Sequence, residues 1–210
     1  MDSQGYTEEY MPSFAQRLFA RTPMARSTRA YEFALTHLNL PPTPWVLDIG
    51  TGQGYGAAFL SRALPQARVV SIDVKMQCLH WDRLEVGPRR PYIVQASAPY
   101  MPFAWASMDA ILAVMTFHCL PQPQRVLEEA ARLLRPGGQL VIADVDGRHW
   151  IARPFEWVEH LFISPLTHAY TPEELETMLR RAGFSRVHFH KRPGKERGFL
   201  MWVIAQKEQA

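Results

Sequence analysis

The apolar run Val46-Leu47 ends in the carboxylate of Asp48 and then breaks into three alternating glycines, Gly50, Gly52 and Gly54. A buried parallel strand turns sharply in this way to bring backbone amides against a ligand. The chemistry implied is small-molecule binding at a strand's carboxyl end. The dinucleotide pattern G-x-G-x-x-G/A also fits in one register, through Gly52, Gly54 and Ala57. A pyrophosphate over that turn would lie close to the Asp48 carboxylate and be repelled by it. A ligand with a cationic amino acid portion and no phosphate would instead find an acceptor there. Asp73 closes a second apolar run about twenty residues on, where a carboxylate can accept from both hydroxyls of a ribose. Its competing reading is a cap on the following helix.

Asp48-Ile49-Gly50-Thr51-Gly52-Gln53-Gly54 resembles the first motif of the class I S-adenosylmethionine-dependent methyltransferases, in particular the subgroup of the ubiquinone/menaquinone biosynthesis enzymes. Asp73, Met108-Asp109-Ala110-Ile111, Leu133-Leu134-Arg135-Pro136-Gly137-Gly138 and the Thr171-Pro172-Glu173-Glu174-Leu175 segment extend the likeness over about residues 44–206. It implies S-adenosyl-L-methionine as cofactor, held by Asp48, Gly50, Thr51, Gly52 and Gly54 in the first loop and by Asp73 and Val74 at the ribose. Ser97 and Ala98 would then meet the adenine, and Val114 and Met115 would flank the methionine portion. Where such enzymes usually carry Asp-Ala before Leu-Pro-Phe, this chain has Ser97-Ala98 before Pro99-Tyr100-Met101-Pro102-Phe103. A neutral hydroxyl accepts more weakly than a carboxylate, at a cost of roughly 1 kcal/mol of cofactor affinity.

Methyl transfer from a sulfonium is an in-line displacement, so the protein's main task is to hold nucleophile, methyl and sulfur collinear. A base is needed only for a protonated nucleophile. His118, just past strand four, is the best-placed candidate, ahead of His149, His160 and His168; its alternative role is to anchor the next loop. Residues 145–170 carry Trp150, Phe155, Trp157, Phe162 and Tyr170, which reads as a lid over an apolar or planar acceptor. The competing reading has Trp157, His160 and Leu161 packing a short helix onto the domain. The place after strand four reads Val114-Met115-Thr116-Phe117 and lacks the Asn/Asp-Pro-Pro-aromatic tetrad of base-modifying amino methyltransferases. The expected partner is a small-molecule methyl acceptor, not nucleic acid. Two rivals stand beside this reading: an NAD-dependent oxidoreductase, and a catalytically idle S-adenosylmethionine-binding module.

The elements that must position these residues alternate strand and helix from residue 44 onward, which predicts an α/β, Rossmann-like, doubly wound seven-stranded sheet with helices on both faces. Strands are expected over 45–49, 67–72, 92–95, 109–114 and 139–143. An antiparallel hairpin over 184–191 and 199–205 is expected to close the mostly parallel sheet around a 193–198 turn. Helices are expected over 55–64, 76–84, 123–134, with Arg135-Pro136-Gly137-Gly138 as its stop, and 171–182, opened by a Thr171/Glu174 capping box. Residues 1–43 stand apart as an N-terminal helical cap, with one helix marked by Tyr31, Ala34, Leu35 and Leu38 and a shorter one over 13–20, expected either to pack on the sheet or, as the resemblance implies, to cover the site; residues 44–210 are expected to form the methyltransferase domain, with the lid insertion at about 145–170. The chain has 210 residues, 47% of them hydrophobic and 20% charged, with a net charge of +3. That is ordinary for one soluble domain. Its dispersed charge gives no nucleic-acid footprint, and the basic run from Arg186 to Arg197 reads as the solvated side of the hairpin. Its two cysteines, Cys78 and Cys119, make neither a metal motif nor a disulfide framework. With no apolar leader or spanning run, a cytoplasmic protein without a membrane partner is expected, and a homodimer is compatible with it.

Overall fold

The computed structural model describes residues 28–85, 88–162, 164–190 and 199–208. The helix expected over 13–20 and the 193–198 turn lie outside them. Five parallel strands stand side by side: β3 (Tyr92–Gln95), β2 (Arg68–Asp73), β1 (Trp45–Ile49), β4 (Met108–Val114) and β5 (Leu134–Val145). Beyond β5 lies β7 (Leu200–Lys207), antiparallel to β5 and to the edge strand β6 (Phe184–His190). The sheet order β3-β2-β1-β4-β5-β7-β6 reverses direction between β1 and β4. In an open α/β sheet the crevice at such a reversal, outside the strands' carboxyl ends, is where ligands bind.

β1 is central, and alternation decides what each of its faces does. Leu47 and Ile49 point into the larger core with Ile111, Leu133 and Leu140, which is closed by α3 (Pro123–Leu133) and by Leu175 and Leu179 of α5 (Pro172–Arg181). Val46 points to the opposite core, among Val69, Leu112 and Val141, against Tyr31 and Ala34 of α1 (Arg29–His37) and Leu60 of α2 (Tyr55–Ala63). Asp48 shares the side of Val46 by parity, and its register partner on β2 is Ser71. α5 opens as its sequence requires: Thr171 accepts from the Glu174 amide at 3.2 Å while the Glu174 carboxylate accepts from the Thr171 amide at 2.8 Å.

The helix expected over 76–84 is only a 3₁₀ turn at Trp81–Leu84. Leu79 and Leu84 both pack where a Cβ on Gly54 would stand, at 3.0 and 3.1 Å. Residues five apart do not share a helix face, so contact with the glycine turn overrides local helix formation. Arg135-Pro136-Gly137-Gly138 also differs from expectation. α3 ends at Leu133, and Leu134 is already extended, so this segment is the irregular start of β5 and not a glycine-built helix stop.

α1 lies directly on the sheet. Its Tyr31 ring crosses the first turn of α2, where a Cβ on Gly56 would stand 2.1 Å from the Tyr31 hydroxyl. Gly56→Ala should therefore destabilise the fold by about 2 kcal/mol through overpacking. In a Tyr31→Ala background the same substitution should become neutral, or stabilising by up to about 1 kcal/mol through helix propensity. Urea unfolding of the four proteins in this cycle measures both.

Candidate active site

After β1 the chain turns through Gly50, Gly52 and Gly54, with φ of +88°, +50° and +87°. The Gly50 and Thr51 amides both donate to the carbonyl of Ile72, at 2.8 and 3.0 Å, which ties the turn to the end of β2. A side chain at Gly50 is excluded twice, by this left-handed backbone and by Thr116, whose Oγ1 would clash with a Cβ. At Gly52 the nearest atom to a Cβ is 4.0 Å away, so the space over the middle glycine is open. The Gly52 amide donates to Asp73 Oδ2 at 2.8 Å, and the Lys75 amide donates to Oδ1 at 3.0 Å. Each oxygen keeps a second lone pair for a hydroxyl donor. The first turn of α2 has neither a side-chain cap nor an acidic residue, so its amides are left to a ligand.

Asp48 is fully buried beneath this turn. Tyr31 Oη donates to its Oδ1 at 2.9 Å and Ser71 Oγ to its Oδ2 at 2.7 Å, with Thr51 Oγ1 a further 2.7 Å from Ser71 Oγ. Burial raises the Asp48 pKa to about 6, against the lowering effect of the two hydroxyl bonds and with a smaller push from Asp73. Burial, then the charge and hydrogen bond of Asp48, push the Tyr31 phenol well above its ordinary range. Both carboxylate oxygens are thus engaged by protein hydroxyls, whereas the sequence pointed to a bond with the ligand.

The remaining candidates line the same edge. The Val74 carbonyl accepts from Gln95 Nε2 at 2.9 Å, bridging the ends of β2 and β3. Ser97 precedes the short turn Ala98–Tyr100, accepting from the Tyr100 amide at 2.9 Å, and Ala98 is buried in the larger core. Val114 is half-buried at the end of β4 beside the α1 side of the sheet. Met115 follows with a φ of +51°, its amide donating to the Ala143 carbonyl at 2.8 Å. A non-glycine residue held in this region stores strain at the end of the strand beside the glycine turn.

His118 stands apart from them. Its amide and its Nδ1 both reach the Asp144 carboxylate, at 2.9 and 2.6 Å, and its Nε2 lies 3.7 Å from Glu159 Oε2. Phe155 stands edge-on to the ring, with centroids 5.1 Å apart. Burial disfavours the charged ring, but the Asp144 charge and hydrogen bond, with Cys119 and Glu159 adding to them, hold its pKa well above the usual imidazole range. With Nδ1 engaged by Asp144, the ring in its protonated form would have no lone pair with which to take a proton from a substrate.

Glu159 belongs to α4 (Ala152–Phe162), and this helix is turned the opposite way from the packing expected of it. It buries Glu156 and Glu159 and exposes Trp157 and Leu161, at 68% and 60%. Glu156 accepts from the Ala169 amide at 2.8 Å and so tethers the loop after the helix. Tyr31, Ser71, Gly56, Arg83, Asp144, Glu156 and Glu159 were not singled out as site-builders in the sequence. Asp144 carried a readable signal, a carboxylate at a strand's carboxyl end like Asp48 and Asp73. Arg83 carried none, although its guanidinium donates to the Gln53 carbonyl at 2.7 Å and covers the Tyr55 ring at 3.8 Å.

The raised His118 pKa fixes the sign of a pH effect. Its stabilising contribution is complete below the unfolded value near about 6.5 and is lost as pH rises through the raised folded value. Asp144→Asn should cost about 2–3 kcal/mol at neutral pH and flatten this alkaline decline. Denaturant unfolding across pH, with the His118 ring proton followed by NMR, measures both.

Residues 47–142 match the family model described as a methyltransferase domain. The "Phthiotriol/phenolphthiotriol dimycocerosates methyltransferase 1" of Mycobacterium ulcerans is 33% identical over 136 residues, covering 65% of this chain and 49% of that protein. The "Fatty-acid O-methyltransferase" of Mycolicibacterium smegmatis is 33% identical over 121 residues, 58% of this chain and 43% of that protein. The chain therefore spans about half the length of the curated relatives it matches. A solved SAM-dependent methyltransferase from Aquifex aeolicus superposes with a TM-score of 0.64 at 26% identity, over 83% of this chain and 88% of the other. The sheet order, the glycine turn facing Asp73 and these matches together support a class I S-adenosylmethionine-dependent methyltransferase.

Proposed function

We propose that this chain transfers a methyl group from S-adenosylmethionine to an apolar, lipid-like molecule through an oxygen that is already ionised at neutral pH. The observation that carries the donor is the Asp73 carboxylate bonded to the Gly52 amide across an open glycine turn, above the buried Asp48. Asp73 would accept from the ribose, and the turn would take the amino acid portion against its amides. Asp48 would supply charge from beneath without direct contact, and the same charge opposes the pyrophosphate of NAD. Ser97, Ala98 and Val74 would border the adenosine, with Val114 and Met115 beside the methionine chain. S-adenosylmethionine, when bound, supplies an electrophilic methyl displaced in line by the attacking oxygen.

For the acceptor, the support is the state of His118 together with the names of the relatives. Hydrogen-bonded to Asp144 and with its Nε2 3.7 Å from Glu159 Oε2, His118 would act as a positioning residue that holds the loop after β4 beside α4. A carboxylate or phenolate nucleophile needs no general base. The fatty-acid O-methyltransferase among the relatives carries an acceptor of the first kind in its name. Expected turnover, followed as S-adenosylhomocysteine, is with a long-chain fatty acid and not with an alkylamine at neutral pH; the reverse order would overturn the acceptor. Binding of NAD without S-adenosylmethionine would overturn the donor. The idle-module rival, which draws on Ser97, requires that cofactor bind while no fatty acid, phenol or amine is methylated.

Asp73→Ala should weaken S-adenosylmethionine binding by at least about 1 kcal/mol, roughly fivefold in Kd, through the lost ribose bonds. Asp48 adds a pH signature by calorimetry. Its folded pKa, at about 6, is raised, so the stability it contributes is present below the ordinary carboxylate value and lost as pH rises through about 6. A bound cation favours the ionised form, so cofactor affinity should fall several-fold as pH drops from about 7 to about 5. Asp48→Asn should abolish that dependence and weaken binding at about pH 8, while leaving the ligand-free protein no less stable there.

A further inference from the structure

The outward face of α4 is apolar where an exposed helix is ordinarily polar. Trp157, Val158 and Leu161 are all exposed, and Trp150 before the helix and Leu166 after it extend the same apolar character. Of the other exposed aromatics, Tyr100 is covered by Arg125, Trp105 lies under Arg132, Tyr92 stacks on Trp45 and Trp150 lies beside His149, while Trp81 shows no such companion among the described residues. Trp157 has no ring or cation partner among the described residues.

The charge on this surface has one sign. Between residues 147 and 172 the only acids are Glu156 and Glu159, and the fold buries both of them. Arg153 stands 85% exposed beside Trp157's face, with one guanidinium nitrogen 3.2 Å from Glu156. The nearest exposed acids, Glu173 and Glu174, are taken up by Arg148 and by the capping box of α5. A helix that turns Trp, Leu and Val outward beside arginine, and hides its acids, has the composition of an element lying in a lipid interface. No described helix is long and apolar enough to cross a membrane, so the contact is peripheral.

We infer that the exposed face of α4, formed by Trp157, Val158 and Leu161 beside Arg153, docks this protein on an anionic phospholipid surface. The apolar side chains enter the boundary between headgroups and acyl chains, and Arg153 meets the headgroup charge. The inference rests on the helix face and not on methyl transfer. Combined with the proposed function, it gives the acceptor a source, because α4 follows β5 at the site edge of the sheet and is latched to His118 from its inner side.

The test is co-sedimentation of the full chain, without cofactor or acceptor, with vesicles of phosphatidylcholine alone and of equimolar phosphatidylcholine and phosphatidylglycerol. The expected result is partition into the anionic vesicles well above that into the neutral ones. A Trp157→Ser/Leu161→Ser double variant should lower the partition coefficient at least about tenfold. Arg153→Glu should lower it several-fold on anionic vesicles only. An unchanged thermal melt and unchanged S-adenosylmethionine affinity would show the double variant folded, so docking and donor binding are read separately. Wild-type protein left in the supernatant with both vesicles, or equal partition of the double variant, would overturn the inference. So would a dimer in sedimentation velocity that the double variant abolishes while neither protein binds vesicles, since a second copy would then be the occupant.

Discussion

A carboxylate with no exposure sits at the end of the central strand, and much of the surrounding structure exists to keep its charge there. Isolated, an ionised Asp48 could not remain in that core. Tyr31 reaches it from α1, Ser71 from the register-matched position on β2, and Thr51 holds Ser71 from the glycine turn itself. Gly56 is needed because the Tyr31 ring must cross the start of α2 to arrive. Four separate segments are therefore committed to one side chain. Even so, burial raises its pKa to about 6, so the carboxylate is ionised at neutral pH but less readily than in water. A residue that costs stability in the ligand-free protein is best understood through what it does for a ligand.

The same constraint explains why α1 belongs to the sheet's own core. Ala30, Tyr31 and Ala34 are buried against the sheet and α2, so α1 covers part of one face of the sheet. The amphipathic pattern of Tyr31, Ala34, Leu35 and Leu38 announces a helix, but a tyrosine on an apolar stripe looks the same whether its hydroxyl meets water or a buried carboxylate.

What was legible in the sequence was what depends on neighbours along the chain. The strand-turn-helix at Asp48 to Gly54 reads locally, as do the Thr171 capping box and the unbroken apolar run of β7, because propensity, capping and alternation are short-range signals. What was hidden depends on meetings across the fold. The segment 76–84 has residues that could form a helix, and only contact of Leu79 and Leu84 with Gly54 decides otherwise. His118 looked like a base because its type and place suit one; Asp144, 26 residues on, and Glu159, farther still, turn it into a held cation. Ser71 and Tyr31 owe their roles wholly to register and packing.

α4 shows most clearly how an internal requirement can set an external surface. A helix has one period, so placing Glu156 and Glu159 inward, three residues apart on one face, sends Trp157, Val158 and Leu161 to the other. Glu159 is needed inside because His118 is charged, and His118 is charged because Asp144 stands against its Nδ1. The apolar outer face is thus coupled to the latch that holds the loop after β4. Glu156 is held inward independently, by the Ala169 amide at 2.8 Å, so two contacts fix which face the helix turns to solvent.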